Sequence, residues 1–417
     1  MDHFGYRQDH LFAEDVSLAT IADNVGTPCY VYSRATLERH YRAFDEPFGE
    51  YPRHVCYAVK ANGNLAVLQV LQRLGAGFDI VSGGELDRVL AAGGAAGDVV
   101  FSGVGKSIGE IEQALQAGVR SLSIESEAEL ERVDAIARTL GKKAPVAFRI
   151  NPDVDPGTHP YIATGLRENK FGVPASDALR LYQRAVAMDS INITGIACHI
   201  GSQLTQLDPF CDALERVLDL VDILSDNGIV LQHLDLGGGV GICYADENPP
   251  APAEYTQAML KILRRRGCHL SVTLEPGRAI AGNAGILLTR VEYIKPGPAG
   301  DFLIVDAAMN DLLRPALYQA WHEVVAVSRG GTSPVRDCDI VGPVCESGDF
   351  IARGRRLAAV QGDLLAVRSA GAYGFVMSSN YNARPRPAEV MVDGAAYHVV
   401  RERETSASLS AQEKLLP

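Results

Sequence analysis

Closely spaced cysteines, long apolar runs and an excess of positive charge are all missing from this sequence. The eight cysteines, Cys29, Cys56, Cys198, Cys211, Cys243, Cys268, Cys338 and Cys345, are scattered with no C-x-x-C pair. That spacing fits neither a zinc site nor a dense disulfide framework, so no metal is expected and most of these thiols should be small buried hydrophobes. No run is long and apolar enough to span a bilayer, and the opening MDHFGYRQDHLFAED has no basic region followed by an apolar stretch. A soluble, cytoplasmic protein with no membrane partner is therefore expected. With 39 Lys and Arg against 51 Asp and Glu, the net charge is -12. A phosphate-backbone surface needs a basic excess, so nucleic acid is not an expected partner. There is no internal repeat or low-complexity tract, and the final SASLSAQEKLLP reads as a frayed tail.

What is present is enough apolar material for a large core. Hydrophobic residues make up 47% of 417 and charged residues 22%, ordinary globular values at a length that suggests two domains. From about residue 55, short β-branched runs alternate with longer stretches of helical periodicity. The runs are HVCYAVK (54–60), GFDIVS (77–82), DVVFSG (98–103), SLSIES (121–126), PVAFRIN (145–151), TGIACHIGS (194–202), QHLDLGGG (232–239) and LSVTLEPGR (270–278). Amphipathic segments such as NLAVLQVLQRLGA and EAELERVDAIARTLG lie between them, several ending at glycine. Eight strands with helical crossovers predict an α/β fold, a closed (β/α)8 barrel of the triosephosphate-isomerase type, rather than an open doubly wound sheet. After about 282 the pattern becomes strand-like runs and turns (ILLTRVEYIKP, DFLIVDAAM, RDCDIVGPV, LLAVRSAG, AEVMVDG, AAYHVVRERE). This predicts a second, mainly antiparallel β domain. The expected division is a barrel over 35–282, with 1–34 and 283–417 forming the β domain, which TPCYVYS (27–33) would join.

In such a barrel, chemistry sits at the carboxyl ends of the strands. Lys60 ends the first, Asp79 lies in the second, Arg149 and Asn151 end the fifth, and His199 and Ser202 end the sixth. Gly237, Gly238 and Gly239 end the seventh; Glu275, Pro276, Gly277 and Arg278 end the eighth. Lys60 follows the apolar YAV, where partial desolvation should lower its pKa and make the amine nucleophilic. On position alone it is a strand-end lysine reaching water; the context YAVKAN reverses that. GGGVG can bring backbone N–H groups against an anion, although tight turns use glycine too. In EPGR the glutamate could hold a protonated ring nitrogen and the arginine an anion; the plainer reading is a local surface ion pair. Alone, His199 is more simply a core histidine. In the second domain NDLLRPALY (310–318), GPVCESGD (342–349) and SAGAYGF (369–375) carry Arg314, Tyr318, Cys345, Glu346 and Tyr373. Such loops are usually only turns, but three of them are better explained as one site.

Together with YAVKANGN, GFDIVSGGEL, FRINPDV, ENKFG, HIGSQL, DLGGGVG, EPGR, DAAMNDLLRPALY, GPVCESGD and GAYGFVMSSNYNARPRP, the chain resembles the diaminopimelate decarboxylases. These belong to the barrel-type decarboxylases that use pyridoxal 5'-phosphate. The resemblance runs from HLFAEDVSLATIADNVGTPCYVYS to AEVMVDG. It implies decarboxylation of meso-2,6-diaminopimelate to L-lysine, the last step of lysine synthesis by that route. Lys60 would form the Schiff base, His199 would stack on the pyridine ring and Glu275 would bond its nitrogen. Asp79, Ser202, Gly238, the loop Glu275, Pro276, Gly277 and Arg278, and Tyr373 would surround the cofactor, several of them its phosphate. Arg278, Arg314, Tyr318, Glu346 and Tyr373 would contact substrate, with Cys345 the proton donor. Cys345 and Glu346 would reach the site from a second subunit, which implies a homodimer with shared active sites.

The distal end of diaminopimelate carries an amino group and a carboxylate. Arg314 and Arg278 suit the carboxylate and Glu346 the ammonium, a pairing that fits this substrate better than ornithine or lysine. The alternatives are a decarboxylase of the same fold acting on ornithine, arginine or carboxynorspermidine, and an alanine-racemase-like enzyme. The second family uses arginine at the ring nitrogen where this chain has the glutamate of EPGR. A third possibility, a homologue that binds cofactor without catalysis, would be expected to lack Lys60 or Cys345.

Overall fold

The computed structural model describes residues 2–154, 170–298, 300–329 and 334–417, so part of the ENKFG motif and the segment leading into it lie outside the described residues. The chain divides into two units. One comprises Arg39–Cys243 and Glu247–Ile280; the other comprises Met1–Glu38, Tyr244–Asp246 and Ala281–Pro417.

In the first unit the eight β-branched runs become the strands Arg53–Ala58, Gly77–Ile80, Val99–Phe101, Ser121–Ile124, Ala144–Asn151, Ile191–Cys198, His233–Asp235 and Ser271–Leu274. All pair in parallel, each with the next, and the last pairs with the first, which closes the barrel. These strands are apolar on both faces because the barrel interior is packed and helices cover the outside; Phe78, Phe101, Leu122, Phe148, Ile196, Leu234 and Val272 have no exposed surface. Several strands are shorter than the runs that predicted them, since the carboxyl ends of those runs are loop. Lys60 is one consequence. The first strand stops at Ala58, and the lysine sits in a single 3-10 turn, Val59–Ala61.

Helices between the strands begin where the sequence offers a side-chain acceptor for the unpaired first-turn N–H groups. Asn64 accepts from Ala66 N–H, Ser82 from Glu85 N–H and Ser126 from Glu129 N–H. Ser107 and Glu110 cap each other reciprocally. Because each helix starts directly after a strand, these caps fix the loops at the chemical end of the barrel. Among the described residues no helix is long and apolar enough to cross a membrane.

The second unit holds a sheet in the order Phe350–Ala358, Val335–Val341, Asp301–Val305, Gly285–Lys295, Cys29–Ser33, Ala388–Asp393, Ala396–Arg401, with Leu364–Val367 added at Gly285–Lys295 and Val324–Ala326 paired to Leu364–Val367. Most pairings are antiparallel; Cys29–Ser33 with Ala388–Asp393 and Asp301–Val305 with Val335–Val341 are parallel. Two features escape a sequence reading. Strand Phe350–Ala358 carries the polar stretch RGRR, and the N-terminal meander Phe4–Arg7, His10–Ala13, Val16–Ser17 is built from very short strands. The tail contains one short helix, Ser406–Ser410, followed by fully exposed Leu415 and Leu416. The cysteines are less uniformly buried than expected: Cys29, Cys56, Cys198 and Cys338 are buried, Cys211 and Cys268 are half-buried, and Cys243 and Cys345 are exposed.

Candidate active site

Three carboxyl side chains meet at the carboxyl end of the barrel. Asp79, fully buried, receives the Lys60 ammonium at 2.6 Å (Nζ to Oδ2). Its other oxygen is buried without a hydrogen-bond partner among the described residues. Asp235, on the seventh strand, hydrogen-bonds Glu275, and burial and the nearby charge of Asp79 push its pKa up to about 7. Burial, then Asp235 and Asp79, drive Glu275 well above the carboxylate range, against the pull of Lys60 and Arg149. Crowded carboxylates in a low-dielectric space cannot all ionise, so the cluster holds protons.

Glu275 is kept in place by its own backbone. Its N–H donates to Gly237 O at 2.7 Å, and Gly237 N–H donates to Asp235 Oδ1 at 2.8 Å. Gly237 has φ +66, and a Cβ at Gly238 would lie 2.2 Å from Glu275 O, so the glycine turn seats directly on the glutamate loop. Gly238 N–H also donates to His199 Nδ1 at 3.1 Å. That bond leaves the proton on Nε2. Burial, with Arg149 and Lys60 nearby, lowers the His199 pKa far below its usual value, so the ring is neutral. Arg278, from the same loop as Glu275, points elsewhere: its Nε and Nη2 donate to Ser202 Oγ at 3.3 and 3.0 Å. Pro276 O accepts the N–H of Ala58, and Gly277 packs against Ala58 and Ala61, which ties EPGR to the turn bearing Lys60.

The structure thus gathers Lys60, Asp79, His199, Ser202, Gly238, Glu275, Pro276, Gly277 and Arg278 in one unit. It adds groups to which the sequence reading gave no role. Asp235 is the foremost, and the signal was there: an aspartate between Leu234 and Leu236, directly before the glycine run. Arg149 is the second. Glu125 Oε1 accepts from Arg149 Nη1 at 3.3 Å and from Gly103 N–H at 3.0 Å, while Arg149 Nη2 is buried and without a hydrogen-bond partner among the described residues. Lys106, buried on Glu129, Gly103 O and Ser123 O, braces that corner. Buried pairs of this kind are costly to break from one side.

Arg314, Tyr318, Cys345, Glu346 and Tyr373 belong to the second unit. Arg314 is buried; its Nη1 donates to His322 Nε2 at 2.8 Å, and its guanidinium lies 4.6 Å from the Tyr244 ring centre. His322 Nδ1 in turn donates to Arg368 O. A stacked, hydrogen-bonded guanidinium has lost its rotamer freedom before any anion arrives. Cys345 and Glu346 are exposed on a loop latched by Asp349, which accepts from Val344 and Met309 N–H at 2.8 and 2.6 Å. Cys345 N–H donates to Asn382 Oδ1, and Tyr381 hydroxyl to Glu346 at 3.4 Å. Tyr373 is half-buried with φ +55, as has Ser369 four residues before it; such backbone strain in non-glycine residues is concentrated at functional loops.

The DAAMNDLL segment also yields a stability test. Asp311, bonded to Ala308 N–H at 2.9 Å, is pushed up to about 7 by burial. A raised native pKa means the folded state binds the proton more tightly. The associated stability is therefore present below about pH 4 and is lost as pH rises through 7. Asp311→Asn removes this titration, so the fall in unfolding free energy between pH 4 and 8 shrinks by on the order of 4 kcal/mol. Urea unfolding of both proteins at pH 4 and 8 reads this directly; equal pH dependence refutes it.

Residues 34–282 match the family model described as the pyridoxal-binding domain of pyridoxal-dependent decarboxylases. The diaminopimelate decarboxylase of Pseudomonas aeruginosa is 59% identical over 417 residues, covering 100% of both chains. That of Vibrio cholerae is 56% identical, with the same coverage. Among solved structures, diaminopimelate decarboxylase from M. jannaschii in complex with L-lysine superposes with a TM-score of 0.95 at 37% identity, covering 100% of this chain and 98% of that one. The Helicobacter pylori enzyme complexed with L-lysine gives 0.91 at 40%, covering 95% and 98%. A half-exposed lysine held by a buried aspartate, a neutral histidine and a proton-holding glutamate at the mouth of a closed barrel, joined to identity along the whole length, make this chain a member of the pyridoxal-dependent decarboxylases, among the diaminopimelate decarboxylases.

Proposed function

We propose that this chain removes carbon dioxide from meso-2,6-diaminopimelate to give L-lysine, with pyridoxal 5'-phosphate as cofactor. The observation that carries the reading is the barrel-end cluster, which suits that cofactor before it binds. Lys60 presents an amine at the rim, and Glu275, crowded by Asp235 and Asp79, is a site for a protonated ring nitrogen. Neutral His199 offers a flat face, the glycine turn leaves room for close backbone approach, and the Ser202–Arg278 pair supplies donors for a phosphate.

When bound, pyridoxal phosphate supplies an electron sink for the bond to the departing carboxylate. The residues of this chain do the rest. Lys60 carries the cofactor and later frees the product, and Asp79 holds the Lys60 nitrogen in place. His199 is fixed through Nδ1, so its ring plane is set by Gly238. Arg278, Arg314, Tyr318, Glu346 and Tyr373 bind the substrate, and Cys345 returns a proton to the carbon that lost its carboxylate. Cys345 and Glu346 serve the site of a second copy in a homodimer, a role their exposure on an ordered loop favours.

Carbon dioxide release from meso-diaminopimelate and from ornithine, measured side by side with lysine assayed as product, tests the assignment. Diaminopimelate turnover is expected to dominate by a factor of at least about 10², because a site built for a distal carboxylate leaves charged groups unpaired with ornithine. A preference for ornithine overturns it.

A further inference from the structure

Asp235 has no part of its own in the proposed reaction, yet it is 2% exposed and conspicuously polar among Leu234, Leu236 and Val272. Its strand register sets it opposite Thr273, two residues before Glu275, so it lies one layer deeper in the barrel. From there it reaches Glu275 twice. One route is direct, carboxyl to carboxyl. The other runs through a single residue: Gly237 gives its N–H to Asp235 Oδ1 and accepts the Glu275 N–H on its carbonyl. Moving Asp235 would therefore move the glutamate's backbone, its carboxyl and the glycine turn together.

We propose that Asp235 is a positioning residue for the cofactor's ring nitrogen: it orients Glu275 through both links and places a second acidic group behind it, so that this nitrogen stays protonated. The inference rests on the reading of Glu275 as the ring nitrogen's partner. A glutamate alone at the end of a barrel could rotate or turn towards Arg149. With Asp235 behind it, the carboxyl has a fixed outer oxygen, and the proton affinity of anything bonded to that oxygen rises with the added negative charge. The other groups around Asp235 are Asp79, Arg149, the buried Tyr255 and the buried thiols of Cys56 and Cys198. Of these, only Arg149 opposes the effect.

Two substitutions separate orientation from charge. Asp235→Asn keeps an oxygen for the Gly237 N–H at nearly the same volume, but turns an amide N–H towards Glu275 and removes the charge. Asp235→Ala removes both links. The readout is the nitrogen resonance of pyridoxal phosphate labelled with ¹⁵N in the ring, recorded on the reconstituted holoproteins, together with cofactor affinity from titration of the apoproteins. In Asp235→Asn the resonance is expected to move from the protonated towards the unprotonated position while affinity stays within about threefold. Asp235→Ala should show the same displacement with affinity weakened about tenfold or more. In a Glu275→Gln background, adding Asp235→Asn should produce no further displacement. Should the asparagine variant fail to fold, Asp235→Ser, which keeps a hydroxyl acceptor without charge, is read in the same way. An unmoved resonance in the folded variant overturns the proposal. The site reading has its own control: if borohydride fails to fix the cofactor on Lys60 of the unsubstituted holoprotein, that reading fails, and the role of Asp235 falls with it.

Discussion

Lys60→Ala is expected to fold and to release no measurable carbon dioxide from diaminopimelate, a loss of at least about 10³ in kcat, because it removes the amine that would hold the cofactor. The neighbourhood makes the prediction sharp. Asp79 is fully buried and holds the lysine nitrogen at 2.6 Å, so the amine is delivered to one point at the rim. The alanine variant should also lose the visible absorption of the holoprotein and take up no label from borotritide. Some instability accompanies the change, since Asp79 keeps its burial and loses its cation. Circular dichroism and the urea midpoint separate that from the chemistry. Turnover within tenfold of the parent protein would show that the cofactor is carried elsewhere.

The second large effect is expected at Glu275. Glu275→Gln preserves volume and hydrogen bonding but cannot match a protonated nitrogen with a negative charge, and kcat should fall by about 10² to 10³. KM should change little, because the charge matters only as electrons move into the ring, a stabilisation made in the transition state and not in the bound ground state. Borohydride should still label Lys60 in this variant, which distinguishes it from Lys60→Ala. The burial that raises the Glu275 pKa, reinforced by Asp235 and Asp79, is the reason a neutral amide is tolerated there structurally. Steady-state kinetics on the two proteins, each saturated with cofactor, decide the matter; a rise in KM with unchanged kcat would place Glu275 in substrate binding instead.

Much of the barrel could be read directly from the residues. Strand periodicity separated by amphipathic segments is a local property, and eight such units leave few topologies open. Lys60, His199 and the EPGR loop could be named because a barrel exposes the residues just after its strands, whatever their distance along the chain. Strand Phe350–Ala358 was missed because its RGRR stretch looks like a surface turn: only pairing with Val335–Val341 makes it a strand.

Residue order by itself fixed the number of barrel units, the polarity of their carboxyl ends and the residue types offered there, since all three follow from spacing along one chain. Tertiary structure decided which of those groups share protons. EPGR suggested a pairing of its own acid with its own base, but Glu275 turns to Asp235, forty residues earlier, and Arg278 turns to Ser202. Closure of the eighth strand on the first brings three acids within reach of one another, and how far each is stripped of water in that closed space sets its charge. No pattern along the chain encodes that quantity.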